Sequence, residues 1–151
     1  MPGAALPLLN NRFRIDVEAP DPPQTRANIA VASIRGLHSS ASAAPTLSSN
    51  IFAWLRRPRR PTALRLELRR AQGSDRYFYD WHAANLGTGV DLRTVTITQL
   101  DDHGEEAVNR WQLAECWVCE WHGPSFDAID VDVAYETLIL CYGYVHWCAR
   151  S

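Results

Sequence analysis

Hydrophobic and polar residues alternate strictly from Thr62 to Arg69. Leu64, Leu66 and Leu68 point one way; Ala63, Arg65, Glu67 and Arg69 point the other. Alternation with a period of two predicts a strand with one buried and one wet face. Arg93–Leu100 is dense in β-branched residues, which suit a pleated surface. Trp111–Trp121 sets Trp111, Leu113, Trp117, Cys119 and Trp121 against Gln112, Ala114, Cys116, Val118 and Glu120. Val131–Tyr142 gathers Val131, Val133, Tyr135, Thr137, Ile139 and Cys141 on one face. Its other face turns from Asp132 and Glu136 to Leu138, Leu140 and Tyr142, so this end is covered on both sides.

Between the first two strands, Ser74–Ala84 predicts a short helix. Ser74 or Asp75 can accept hydrogen bonds from its free N–H groups, Tyr77, Trp81 and Ala84 recur at helical spacing, and Gly87 sits where the helix would stop. Nearer the start, Phe13–Glu18 alternates like a strand. Ala19–Gln24 holds three prolines and predicts a loop, and Ile29–Arg35 predicts a returning strand. His38–Asn50 is rich in Ser and Ala, and Ile51–Pro61 is an apolar anchor followed by a basic, proline-stiffened stretch. The whole of 38–61 therefore predicts an extended loop. One short helix on a mainly antiparallel sheet is the simplest sum of these elements. No repeat and no internal boundary divides residues 1–151, a length sufficient for one domain with its own core.

Charge changes the picture through its placement. The net charge is only −2, and every basic residue is Arg. Residues 1–75 hold 11 Arg against 5 acids, +6; residues 76–151 hold 4 Arg against 12 acids, −8. A molecule with a basic and an acidic pole can stack head to tail, a heterologous contact that gives rings or filaments. Arg56, Arg57, Arg59 and Arg60 are the candidate basic side of such a subunit interface, and Asp101, Asp102, Glu105 and Glu106 the acidic side. The plainer reading is that both runs are solvated loops. Phosphate binding by the Arg cluster is disfavoured, because only Phe52 and Trp54 interleave it.

Candidate chemistry is thin. Cys116 and Cys119 with Cys141 and Cys148, near His122 and His146, supply raw material for zinc. A strand would put Cys116 and Cys119 on opposite faces, however, and the second pair is not a CxxC, so structural cysteines and no metal are expected. Asp101–Glu106 lies between two strands, where Asp and Gly are ordinary turn residues. Asp80 and His82 flank Trp81 on a helix and diverge. No nucleophile elbow, zinc helix or phosphate loop is present; no catalytic residue and no cofactor is expected. No run approaches the length of a membrane helix, and Met1–Asn10 lacks the basic start and apolar length of a secretory signal, which predicts assembly in the cytoplasm.

Several pieces, in order, resemble the tube proteins of contractile phage tails and contractile injection systems. They are Asn11–Val17, Ile34-Arg-Gly-Leu37, Thr62–Arg70, Phe78-Tyr-Asp-Trp81, Asp91–Ile97, Asp101-Asp-His-Gly104, Trp111-Gln-Leu113, Gly123–Ala128 and Tyr135–Leu140. The likeness covers nearly the whole chain, except that 38–61 does not align and the Trp and Cys content after Trp111 is unusual. The resemblance implies a mainly β (α+β) subunit of two packed antiparallel sheets, a sandwich or barrel-like unit, with one flanking helix. It implies six-membered rings stacked into a hollow tube, with sheath, baseplate and cap proteins as partners and protein cargo or nucleic acid in the lumen. The polar face of the Thr62–Arg69 strand, Arg65, Glu67 and Arg69, is the expected lumen face, since a water-filled channel suits polar side chains. Three functions follow: a repeating tube subunit; a single-ring adaptor of the same family at the baseplate or tip; and a small β-rich enzyme or binding domain, which would need a closed pocket with convergent polar groups.

Overall fold

The computed structural model describes residues 8–40 and 64–148. Most of the expected 38–61 loop, with Arg56, Arg57, Arg59 and Arg60, lies outside the described residues. The elements run β1 (Phe13–Pro20), β2 (Pro23–Ile29), β3 (Ser33–Arg35), β4 (Leu64–Ala71), α1 (Tyr77–Ala84), β5 (Arg93–Leu100), β6 (Ala107–His122), β7 (Tyr135–Tyr142) and β8 (Tyr144–Cys148). The described strands form one antiparallel sheet in the order β2-β1-β5-β6-β7-β4-β3, with β8 also paired to β6.

The long strand β6 joins two halves. Its first part carries β5 on one edge and β8 on the other; from Trp117 onward it pairs with β7. Ala114 opposite Tyr144 and Trp117 opposite Cys141 keep one register, so β7 and β8 run as a single bent partner. The bend falls at Glu115, a non-glycine residue with φ 56, facing Gly143. A Cβ on Gly143 would lie 2.6 Å from a Glu115 carboxylate oxygen, so a larger residue there would have to displace the Glu115 side chain. Glu115 also inverts the side-chain phase. Leu113 is buried before it, and Cys116 and Val118 after it. The unbroken alternation expected over Trp111–Trp121 is corrected accordingly: an extra residue at a bulge moves the following side chains to the opposite face. A second irregularity leaves Cys119 as the extra residue between Val118, opposite Leu140, and Glu120, opposite Ile139.

The bend lets the halves share one core. Ile15, Val17, Val95, Ile97 and Leu113 from one half pack in the same cluster as Leu66, Leu68, Val118, Leu138 and Leu140 from the other, together with Phe78 and Trp81 of α1. Each such side chain contributes about 1.5–3 kcal/mol when fully buried. The fold is mainly β with one short helix, as expected; where two packed sheets were expected, the described strands are hydrogen-bonded into one sheet through β6.

Boundaries shift where side chains compete for backbone donors. The expected proline loop at 19–24 shrinks to a turn at Asp21–Pro22, with Pro20 and Pro23 facing each other at the end of the β1–β2 hairpin. The return strand expected at Ile29–Arg35 is split. β2 ends near Asn28 (φ 55), whose N–H donates to Asp16 Oδ1 at 2.7 Å, and β3 crosses to the other half beside β4. Val131–Ala134 stays outside β7; the amides of Ile129 and Val133 donate to the carboxylates of Asp127 and Asp132 instead of to a neighbouring strand. The helix begins at Tyr77, whose N–H donates to Asp75 Oδ1 at 2.8 Å. Its buried face is Phe78 and Trp81, whereas Ala84, expected on the inner side, is exposed.

Candidate assembly surfaces

Strand β4 presents two contrasting faces. Outward, Arg65, Glu67 and Arg69 are all exposed, so the expected polar stripe exists. Arg65 pairs with Glu120 of β6 at 2.5 Å, and the Arg69 guanidinium lies 3.8 Å from the centre of the Tyr135 ring. Inward, Arg70 continues the phase of Leu64, Leu66 and Leu68 and is buried. Its Nε donates to Glu136 Oε1 at 2.7 Å, while Trp121 Nε1 donates to Glu136 Oε2 at 2.8 Å. The guanidinium also stacks on Phe78 and reaches the Asp75 carbonyl at 3.3 Å. Both Glu136 oxygens are thus satisfied, the condition for burying a charge. Burial pushes the Asp75 carboxyl up, but the Tyr77 amide and the guanidiniums of Arg26 and Arg70 outweigh it and hold the group below its ordinary value. Arg93 extends the lattice, gripping Asp91 through two nitrogens and stacking on Trp81. These contacts pin α1 to the sheet.

The acidic candidates form the β5–β6 turn. Asp101 Oδ1 accepts from the amides of Glu105 (2.9 Å) and Glu106 (3.2 Å), and Gly104 takes the left-handed conformation (φ 74). Those amides hold the Asp101 carboxyl below its ordinary value. Asp102, Glu105 and Glu106 are exposed. The segment is a well-formed turn with a solvated acidic rim, on the opposite half of the sheet from the Arg65–Arg69 stripe.

The base of the 38–61 segment is anchored. The Tyr142 hydroxyl accepts from the His38 amide at 3.0 Å and lies within donating distance of the Gly36 and His38 carbonyls. Gly36 has φ +100, and a Cβ there would meet the Arg65 carbonyl oxygen at 2.5 Å, so only glycine fits this crossing.

One surface was missed by the sequence reading. In the connector between β6 and β7, Phe126 is 87 %, Ile129 92 % and Val131 103 % exposed, with Val133 also exposed. Large apolar residues exposed together make this connector a candidate contact surface for another chain. The signal was present as apolar residues interleaved with Asp127, Asp130 and Asp132, but the alternation reads equally as a strand. Tyr144 and Trp147 expose a second apolar area on β8, where Trp147 packs on Trp111 with ring centres 5.6 Å apart.

Among the described residues no group of three or more His, Cys, Asp or Glu side chains is placed to hold a metal. Cys116 lies in the core, where burial pushes its thiol up to about 12. Asp80 pairs with Arg76 while His82 Nδ1 meets the Val118 carbonyl, so these two diverge as expected. An open groove of about 610 Å³ lies beside the β1–β2 turn and carries Glu18, Arg93 and Glu115, with Arg93 already committed to Asp91. No described helix is long and apolar enough to cross a membrane.

Residues 9–146 match the family described as T4-like virus tail tube protein gp19, so the chain belongs to that tail tube family. No curated protein sequence matches the chain. Its fold is similar to the sheath–tube complex of the PVC extracellular contractile injection system in the extended state (TM-score 0.72, 20% identity, 95% of this chain and 93% of that one). It is equally similar to the sheath/tube terminator of that system (TM-score 0.75, 20% identity, 97% and 100%). The baseplate of the anti-feeding prophage, in a 6-fold symmetrised structure, also shares the fold (TM-score 0.70, 19% identity, 96% and 97%).

Proposed function

We propose that this tail tube family member is a structural, non-catalytic subunit of the inner tube of a contractile tail or contractile injection system. As one domain spanning residues 1–151, it assembles into six-membered rings that stack around a cargo-conducting lumen. The observation that carries this reading is the family match over 9–146. The six-fold ring is taken from the resemblance and accords with the 6-fold symmetrised baseplate of the anti-feeding prophage. The exposed Phe126–Val133 connector supplies apolar surface for a subunit contact. The polar stripe of Arg65, Glu67 and Arg69 faces the lumen, and Arg56, Arg57, Arg59 and Arg60 meet Asp101, Asp102, Glu105 and Glu106 of a neighbour. Sheath, baseplate and cap proteins are the partners of the assembled particle, which forms in the cytoplasm and acts as part of a phage tail or injection device. Electron microscopy of the purified chain across concentrations tests this: hollow stacked tubes are expected, and a chain that never forms rings, even on a baseplate template, would overturn it.

A second reading, a single-ring terminator or baseplate adaptor, is favoured by one observation. The chain matches a terminator and a baseplate structure about as well as a tube complex. Particle length separates the two, since an adaptor stops at one ring.

A further inference from the structure

We propose that Cys119 and Cys141 form a thiol pair that small-molecule disulfides oxidise to a disulfide joining β6 to β7. The two residues lie on adjacent strands, and the bulge at Cys119 brings its sulfur 2.8 Å from that of Cys141. That separation is about 0.8 Å longer than the S–S bond of about 2.05 Å. The pair sits on the outer face of the sheet, away from Cys116, whose thiol points into the core and donates to the Leu113 carbonyl.

The surroundings assign a role to each sulfur. Cys141 is 6% exposed, while Cys119 is half-buried. Cys119 is therefore the sulfur a small oxidant reaches first. The Cys141 thiol donates its hydrogen bond to Cys119, so Cys141 gives up that contact when it loses its proton. Burial, together with that contact, pushes the Cys141 thiol up to about 12, so Cys141 resolves the reaction after Cys119 has started it. The Cys119 thiolate attacks one sulfur of a disulfide such as oxidised glutathione; an S–S bond forms and the first glutathione thiolate leaves. Cys141 then loses its proton and attacks the Cys119 sulfur, releasing the second glutathione. Two protein thiols are oxidised and one small disulfide is reduced to two thiols, with the protons balanced between them.

The test treats the folded full-length chain with oxidised glutathione, then alkylates free thiols and maps peptides by mass spectrometry. The expected result is loss of two of the four thiols, a mass lower by two hydrogens, and a peptide linking Cys119 to Cys141. Because the residues are 22 apart in sequence, closing that loop should raise Tm by roughly 5–10 °C. Cys141→Ser should trap glutathione on Cys119, whereas Cys119→Ser should leave Cys141 unmodified; Cys116→Ser should change neither outcome. Four alkylatable thiols after treatment, or a bond that uses Cys148 or Cys116, would overturn the proposal. The map of the unsubstituted chain decides the matter even where a variant fails to fold.

Discussion

Arg69 and Arg70 are neighbours in sequence with opposite roles. Arg69 stands in solvent over the Tyr135 ring, whereas Arg70 is buried and bound to Glu136. The difference comes only from the phase of β4: even positions face the core, odd positions face outward. An outward arginine loses little on folding and contributes little to stability, which leaves that face free to be chosen for contacts. An inward one must be fully compensated, since an unpaired buried charge costs several kcal/mol. The inner lattice therefore belongs to stability, and the outer stripe is the face left for the lumen in the proposed tube.

Breaking the inner pair should have the largest effect. Glu136→Ala takes from buried Arg70 its nearest carboxylate, leaving only Asp75 at 3.6 Å, and leaves Trp121 Nε1 without an acceptor. A loss of about 3–5 kcal/mol is expected in denaturant unfolding. Replacing both partners, Arg70→Met with Glu136→Leu, should recover most of it; a double variant as unstable as the single would mean the ion pair has a net value of its own. Next in size, Gly36→Ala forces a Cβ toward the Arg65 carbonyl at positive φ, and should cost about 1–3 kcal/mol by the same measurement.

Acid should act more gently, on the inner lattice and on the β5–β6 turn. The carboxyls of Asp75 and Asp101 titrate lower in the folded chain than in the unfolded one. Their contribution is complete above the unfolded value of about 3.9 and fades as the pH falls through that value toward the folded one. The denaturation midpoint should therefore drop with acid in this window, and Asp75→Asn should flatten the drop. Arg65→Ala removes a pair that is more than half exposed on the arginine side, so unfolding should change by less than about 1 kcal/mol. Phe126→Asp should be the mildest for stability, within about 0.5 kcal/mol, yet should abolish tubes seen by electron microscopy. Intact tubes in this variant would remove the connector from the interface.

Much of the fold was legible because buried strands announce themselves. Arg93–Leu100 is β5 to the residue, and the Leu64–Leu66–Leu68 phase of β4 holds. Legibility failed where backbone geometry overrides pattern. Nothing in the side chains around Glu115 signals a positive φ, so the phase change in β6 was invisible, and with it the burial of Val118. Val131 and Val133 alternate with aspartates as strand residues do, but those carboxylates capture nearby amides and the segment remains unpaired. Arg70 was readable by extending the leucine phase two residues further. Its partner Glu136 was not, because pairing across β7 is a long-range choice. Of the candidate surfaces, the polar stripe and the acidic turn stood in the sequence; the apolar connector emerged only once its lack of cover was seen.

The bent strand β6 has a mechanical meaning. Its 16 residues, at about 3.3 Å each, make roughly 50 Å of continuous backbone, and both halves of the molecule hang on it. A push delivered to one half reaches the other both along this backbone and through the side chains of the shared core. In the proposed tube, each subunit would then carry thrust as one rigid piece.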